Sequence, residues 1–175
     1  MKKMFCQISS VLIIFVLCFH SCVPEKKNEK PIPTFDWSDK KTALNPADSL
    51  RHGTSYLSVY SQIYSYTEHT SLDLTATVSI RNTSETDSIY LLKANYYDTE
   101  GNAIQSYINE PISLKSMETL EIVIAEFDKK GGTGANFIFD WATKPSTSEP
   151  IFEAVMISTY GQQGLSFMTH GKRIE

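Results

Sequence analysis

Between Leu72 and Arg81 apolar and polar residues alternate without a fault. Leu72, Leu74, Ala76, Val78 and Ile80 fall on one side, and Asp73, Thr75, Thr77, Ser79 and Arg81 on the other. An extended backbone, whose side chains point to opposite faces at every step, turns that pattern into one buried and one wetted face; a helix would scatter it around its circumference. The same period of two predicts strands over 56–64, 72–80, 89–97, 103–108, 119–127, 136–143, 151–159 and 165–173. Turn formers separate them: the stretch 98–102, Asn109 with Pro111, and the stretches 131–134, 145–150 and 161–164. Seven to eight short strands with no helical pattern among them predict an all-β fold, a two-layer antiparallel immunoglobulin-like β-sandwich. A closed barrel is the alternative. The sandwich is preferred because Phe137, Phe139 and Trp141, with Ile138 between, give a strand that is apolar on nearly both faces.

The first residues follow a different grammar. Lys2 and Lys3 precede an apolar run over 11–19, and then come His20, Ser21 and Cys22. A membrane-spanning helix needs about 20 apolar residues, and this run is interrupted by His20 and followed by Pro24 and charges, so residues 1–21 are read as an export signal. Ser21 before Cys22 resembles the bacterial lipobox, although Phe19 and His20 depart from it; the rival, Cys18, follows the bulky Leu17. The expectation is a lipid on Cys22 and an exported protein anchored in the bacterial cell envelope, at the outer membrane. Cys6, Cys18 and Cys22 are all the cysteines the chain has, so the folded part holds no disulfide and must rely on its own core. After cleavage 154 of 175 residues remain, enough for one domain. Residues 22–50 are rich in Pro, Lys and Glu and lack glycine; they read as a flexible tether, with a coil span of about 30 Å. Residues 51–175 form the sandwich domain.

That domain carries nine Lys or Arg against fifteen Asp or Glu, a formal charge of −6. A phosphate backbone is repelled by such a surface, which excludes nucleic acid as a partner.

Chemistry-bearing constellations are sparse. A nucleophilic triad needs a serine on a strained elbow, and no Gly-x-Ser-x-Gly occurs; His52, His69 and His170 read as separate surface residues. Met168 and His170 share a strand face and would suit a soft copper ion, but no second pair completes a site. Glu110, Glu118, Glu121, Asp140 and Glu153 could in principle supply a carboxylate pair, and solvated strand faces explain them as well. Lys129-Lys130-Gly131-Gly132-Thr133-Gly134 invites comparison with phosphate-cradling loops, yet a strand pattern rather than a helix follows, so positive-φ glycines in a hairpin are expected. Asn82-Thr83-Ser84 matches a glycosylation sequon, and Asp48-Ser49-Leu50 and Asp87-Ser88-Ile89 match a short O-glycosylation pattern.

Several stretches together carry a family likeness: Leu74 to Asn82, Tyr96-Tyr97-Asp98 with Gly101, Gly131 to Phe137, Glu153 to Ile157, and Gly161-Gln162-Gln163-Gly164-Leu165-Ser166-Phe167. Over roughly 56–173 the chain resembles the bacterial lipoprotein family catalogued as domain of unknown function 3124, a resemblance that implies no activity. More loosely, the strand pattern is similar to immunoglobulin-like modules of the late-embryogenesis-abundant type.

If consecutive strands reverse, the loops around His69, 98–101, 131–135 and 161–164 share one end, opposite the end where the tether enters. The expectation is that Tyr97, Asp98, Asn136, Gln162 and Gln163 form binding contacts there, amides beside glycines offering donors and acceptors at little steric cost. The function expected is a non-catalytic, membrane-anchored module that binds an envelope protein or glycan, with no cofactor and no enzymatic activity. The alternatives are a copper carrier or an unrecognised hydrolase.

Overall fold

Three features of the sequence set the architecture: strands apolar on one face, glycines where chains cross closely, and one buried asparagine. The computed structural model describes residues 36–45, 47–159 and 164–175. The expected signal segment, Cys22, Gln162 and Gln163 lie outside these. Twelve strands follow in order: β1 Arg51–Ser58, β2 Gln62–Ser65, β3 Thr67–Asp73, β4 Thr75–Arg81, β5 Ile89–Tyr97, β6 Ala103–Ile108, β7 Ile112–Leu114, β8 Thr119–Ile124, β9 Asn136–Thr143, β10 Ile151–Ser158, β11 Leu165–His170 and β12 Lys172–Arg173. The larger sheet runs β12-β1-β9-β5-β6, with β7 on the other half of β5; the smaller runs β11-β10-β4-β8; β2 and β3 pair only with each other. All pairings are antiparallel. The expected two-layer all-β sandwich is what forms.

The strands predicted over 89–97, 103–108 and 136–143 match β5, β6 and β9. Two others divide. The pattern over 72–80 crosses two strands, because at Leu74 the backbone leaves β2 as partner and its N–H goes to Ser61 O (2.9 Å). The pattern over 56–64 likewise ends in the sandwich at Ser58 and resumes at Gln62. Alternation in phase cannot distinguish one strand from two.

Alternate residues build the core between the sheets. Phe137, Phe139 and Trp141 of β9 point inward and are all but fully buried. Phe139 stacks on Phe152 of the opposite sheet, ring centres 4.5 Å apart. The Trp141 Nε1–H donates to buried Ser55 Oγ (3.0 Å), so the largest core side chain leaves no polar atom stranded. Gly53 faces that indole, and a Cβ there would strike the ring.

The sandwich is closed at both sides by chain that changes layer. Along one side, β11 lies in the smaller sheet and β12 in the larger; between them Gly171 donates to Phe152 O (2.7 Å), where a Cβ would sit 2.7 Å from Phe152 Cβ. On the other, Asn82 clamps the crossing from β4 to β5. It is buried, its Nδ2 donating to Asp87 O (2.8 Å), Leu114 O (3.3 Å) and Lys115 O (2.8 Å) while Oδ1 accepts from Ser84 N (2.9 Å). The sequon asparagine is thus spent inside the fold and offers no amide for a glycan.

Part of the stretch expected as tether lies against the domain. Trp37 packs on the core, a 3-10 turn spans Ser38–Lys40, Lys40 pairs with Glu118, and Lys41 bridges to Ile112 of β7.

Candidate functional site

Among the described residues, the turn over 98–102, the loop over 131–135 and the β2–β3 hairpin gather at one end. Ser58, Tyr97 and Asn136 end or begin strands of the larger sheet side by side. Val59 N donates to Ala135 O (2.9 Å), Gln62 N to Gly132 O (3.1 Å) and Leu74 N to Ser61 O (2.9 Å), which ties the loops and the β2–β3 hairpin into one surface. Arg51, where β1 starts, is at the other end.

Within this surface the conspicuous polar and glycine residues are turned on one another. The Asp98 carboxylate accepts from Asn102 N (2.7 Å), Glu100 N (3.0 Å) and Asn102 Nδ2 (3.0 Å); these donors, the Asn102 amide foremost, hold its pKa below the ordinary 3.8. Next to it Thr99 Oγ1 donates to Gly131 O (3.0 Å) and accepts from Gly134 N (2.9 Å). At Gly131 a Cβ would collide with the Tyr96 hydroxyl, and Gly132 (φ 70°) would place one 2.7 Å from Thr99 Oγ1. The glycine loop is therefore a clasp over Thr99 and Tyr96. The Gly132 and Gly134 amides are engaged, by Lys129 O and Thr99 Oγ1, and β9 rather than a helix follows, so it lacks the geometry of an anion cradle. Burial pushes the Tyr96 phenol up to about 12, with Ser61 opposing, and keeps it protonated.

Tyr97 and Asn136 do come together. They are direct cross-strand partners, half-buried, on the outer face of the larger sheet rather than in loops. Asn95, two residues before Tyr97 and so on the same face, donates to the Tyr97 Oη (3.4 Å). Asp98 has turned into its own turn, and Gln162 and Gln163 are not among the described residues.

The titratable candidates disperse. Among the described residues no three His, Cys, Asp or Glu side chains are grouped to hold a metal. Met168 faces Val155, and His170 Nδ1 lies 3.4 Å from Glu153 Oε1. The five acidic candidates are taken by different partners: Glu110 by Lys41 (2.6 Å), Glu118 by Lys40, Glu121 by Ser79 (3.5 Å), Asp140 by Thr54 (2.9 Å), and Glu153 by Arg81 (2.9 Å).

The sequence reading missed the β2–β3 hairpin, which forms an arm at this end. Tyr64 is 62% exposed and Tyr66, at the tip, 100% exposed with φ 63°. A bulky residue in the left-handed region is disfavoured by about 1–2 kcal/mol, and a tip of Ser65-Tyr66-Thr67 carries no Gly, Asn or Asp, the residues that accept positive φ. The arm is fixed at its base: Ile63 packs on the core, and Asp73 accepts from Gln62 Nε2 (2.8 Å) and pairs with Lys129 (2.6 Å). The other non-glycine residue with positive φ, Met117, is braced where Tyr66 is not: its N–H reaches Ser84 O (3.0 Å), and Glu118 accepts from Lys115 N (2.7 Å) across the same turn. The signal that could have found the arm is the Tyr-Ser-Tyr-Thr-Glu-His-Thr-Ser run over 64–71, too polar for a strand packed on both sides.

No curated protein matches the chain. The crystal structure of Thermotoga maritima 1070 is similar with a TM-score of 0.43 and 7% sequence identity, over 69% of this chain and 92% of that one. The family resemblance expected from the glycine and strand motifs is met by a family model that spans the sandwich, residues 52–174, and the chain belongs to that family, described as protein of unknown function (DUF3124).

Proposed function

We propose that the chain is exported as a lipoprotein, anchored through Cys22 to a membrane of the bacterial envelope, and that its sandwich is a non-catalytic module engaging a protein partner through the tip of the β2–β3 arm. The observation that carries the reading is Tyr66, fully exposed in a backbone conformation that disfavours it. Such a residue costs stability twice, by strain and by wetted aromatic surface, and a contact absent from the free protein would offset both. A phenol has only two torsions to fix and combines ring area with a hydroxyl, so it gains contact energy at small entropic cost. Tyr64 on the arm and the 67% exposed Phe127 at the same end extend the aromatic surface. The anchor rests on the basic leader, its apolar run, and Ser21 before Cys22.

The test places a photo-crosslinking residue at Tyr66 in the full chain, expressed in its native host. A discrete protein adduct absent when the reporter sits at exposed Ser116, in the turn at the other end, is the expected result; adducts no different from those at Ser116 would remove the arm from the reading. Cys22→Ala should release the chain from the membrane fraction, and a variant that stays bound would remove the anchor.

A further inference from the structure

The outer face of the larger sheet carries a second surface, distinct from the arm. Two cross-strand rows cover its loop-rich half. One runs Ser58, Asn136, Tyr97 and Ala103; the next runs Tyr56, Ile138, Asn95 and Ser106. None of these eight side chains is ionised at neutral pH, in a domain whose formal charge is −6. The row beyond closes on itself, Asp140 accepting from Thr54 Oγ1 (2.9 Å) and lying 3.6 Å from Lys93 Nζ. Lys172 of β12, beside Tyr56, marks the rim on the β12 side.

We infer that this face binds a neutral glycan chain, with Tyr97, Asn95 and Asn136 at the centre of the site. The chemistry follows from what the rows offer. Away from the Lys172 rim a charged partner would meet no counter-ion, and desolvating its charge over the two rows would go uncompensated. A sugar has hydroxyls that both donate and accept, and a ring face of C–H groups. The rows answer with two amides, two phenols and two serine hydroxyls, every one able to act in both senses, beside the apolar Ile138. Asn95 supplies the most pointed observation. Its Nδ2 is directed to the Tyr97 hydroxyl (3.4 Å), while its Oδ1 is buried with no hydrogen-bond partner among the described residues. A buried acceptor left unmatched is uncommon in native folds, and an incoming hydroxyl is the donor that would complete it. Tyr97 and Asn136 stand on neighbouring strands, about 4.8 Å apart in the sheet, so one sugar ring can reach both.

The full chain, purified in detergent, is titrated with N-acetylglucosamine oligomers and neutral β-glucan oligomers while the side-chain amide resonances of Asn95 and Asn136 are followed by NMR. Saturable shifts of those two amides with one of the probes are expected. Asn95→Asp and Tyr97→Ala should each weaken the binding about tenfold, as loss of one hydrogen bond at the centre of the site implies, and Tyr97→Phe, which keeps the ring and the fold, should weaken it less than Tyr97→Ala. Tyr66→Gly should leave it unchanged, so loss of arm crosslinking and loss of sugar binding are read separately. The inference is overturned if none of the probes gives saturable shifts, if the shifts map away from these amides, if the Asn95 and Tyr97 variants bind as the wild type does, or if the same amides shift with protein concentration alone, which would make the face a contact between two copies.

Discussion

Two neighbouring pieces of the loop-rich end use their residues in opposite ways. The glycine loop over 129–135 is conspicuous in sequence, and its glycines are turned on the protein: Thr99 of the neighbouring turn bonds Gly131 and Gly134, and the missing side chains make room for Tyr96 and Thr99. The β2–β3 arm is inconspicuous in sequence and turns its aromatic side chains to water. Glycine motifs mark where backbones must approach, whether the thing approached is a ligand or the protein itself. At the glycine loop it is the protein itself, whereas the arm, which we propose for partner recognition, is the piece whose local conformation is costly.

The contrast breaks most visibly in stability. Gly131→Ala drives a methyl into the Tyr96 hydroxyl, the Ala135 side chain and Ser61, and is expected to destabilise by about 1–3 kcal/mol as overpacking does. Urea unfolding checks it, and a variant as stable as the wild type would mean that the clasp is loose. Thr99→Val keeps the shape and removes the hydroxyl that serves two backbone groups. At roughly 1 kcal/mol for each net hydrogen bond the expected loss is about 1–2 kcal/mol, again read by urea unfolding.

On the arm the sign reverses. Tyr66→Gly relieves left-handed strain of about 1–2 kcal/mol and returns part of it, about 0.5–1 kcal/mol, through the greater freedom of glycine in the unfolded chain. A thermal midpoint equal to or slightly above that of the wild type is expected, together with loss of partner capture when the untagged chain is immunoprecipitated from membranes. A clear drop in midpoint would show that Tyr66 is held by contacts within the fold and would end the argument from strain.

How far the sequence could lead follows from the same contrast. β5 and β9 were legible to the residue because they are central, largely apolar strands bounded by turn formers, as with Asp98 after Tyr97 and Gly134 before Asn136; the bulge that shifts the alternation of β5 after Leu91 leaves its ends unchanged. The arm was not, because β1 with β2 and β3 with β4 keep step across their breaks, and only the partner of Leu74 reveals the change. Tyr97 and Asn136 could be chosen as polar residues near strand ends, but their adjacency is a matter of register between β5 and β9, some 40 residues apart, which a local pattern does not carry. Asp98 is engaged for a local reason. An aspartate opening Asp98-Thr99-Glu100-Gly101-Asn102 satisfies the turn's own amides first.

The smallest expected effect concerns the hinge between the two pieces, where Asp73 of the arm meets Lys129 of the glycine loop. Lys129 and then Gln62 hold the Asp73 carboxyl below its ordinary 3.8. With the folded pKa lowered, the stabilisation is present above the unfolded value and fades as pH falls through the folded one. The wild-type arm should therefore stay docked at neutral pH and loosen only below about pH 4. Asp73→Asn removes the ion pair at every pH. Because the pair is largely exposed, the global cost is at most about 1 kcal/mol, too little to separate the variants by melting alone. Amide hydrogen exchange resolves it: exchange over residues 62–73 should rise in Asp73→Asn at pH 7, with protection at Gly131 and Gly134 unchanged, and should no longer depend on acid. If the glycine loop lost protection together with the arm, the two would be one cooperative unit, and the tip would owe its conformation to the clasp rather than to a partner.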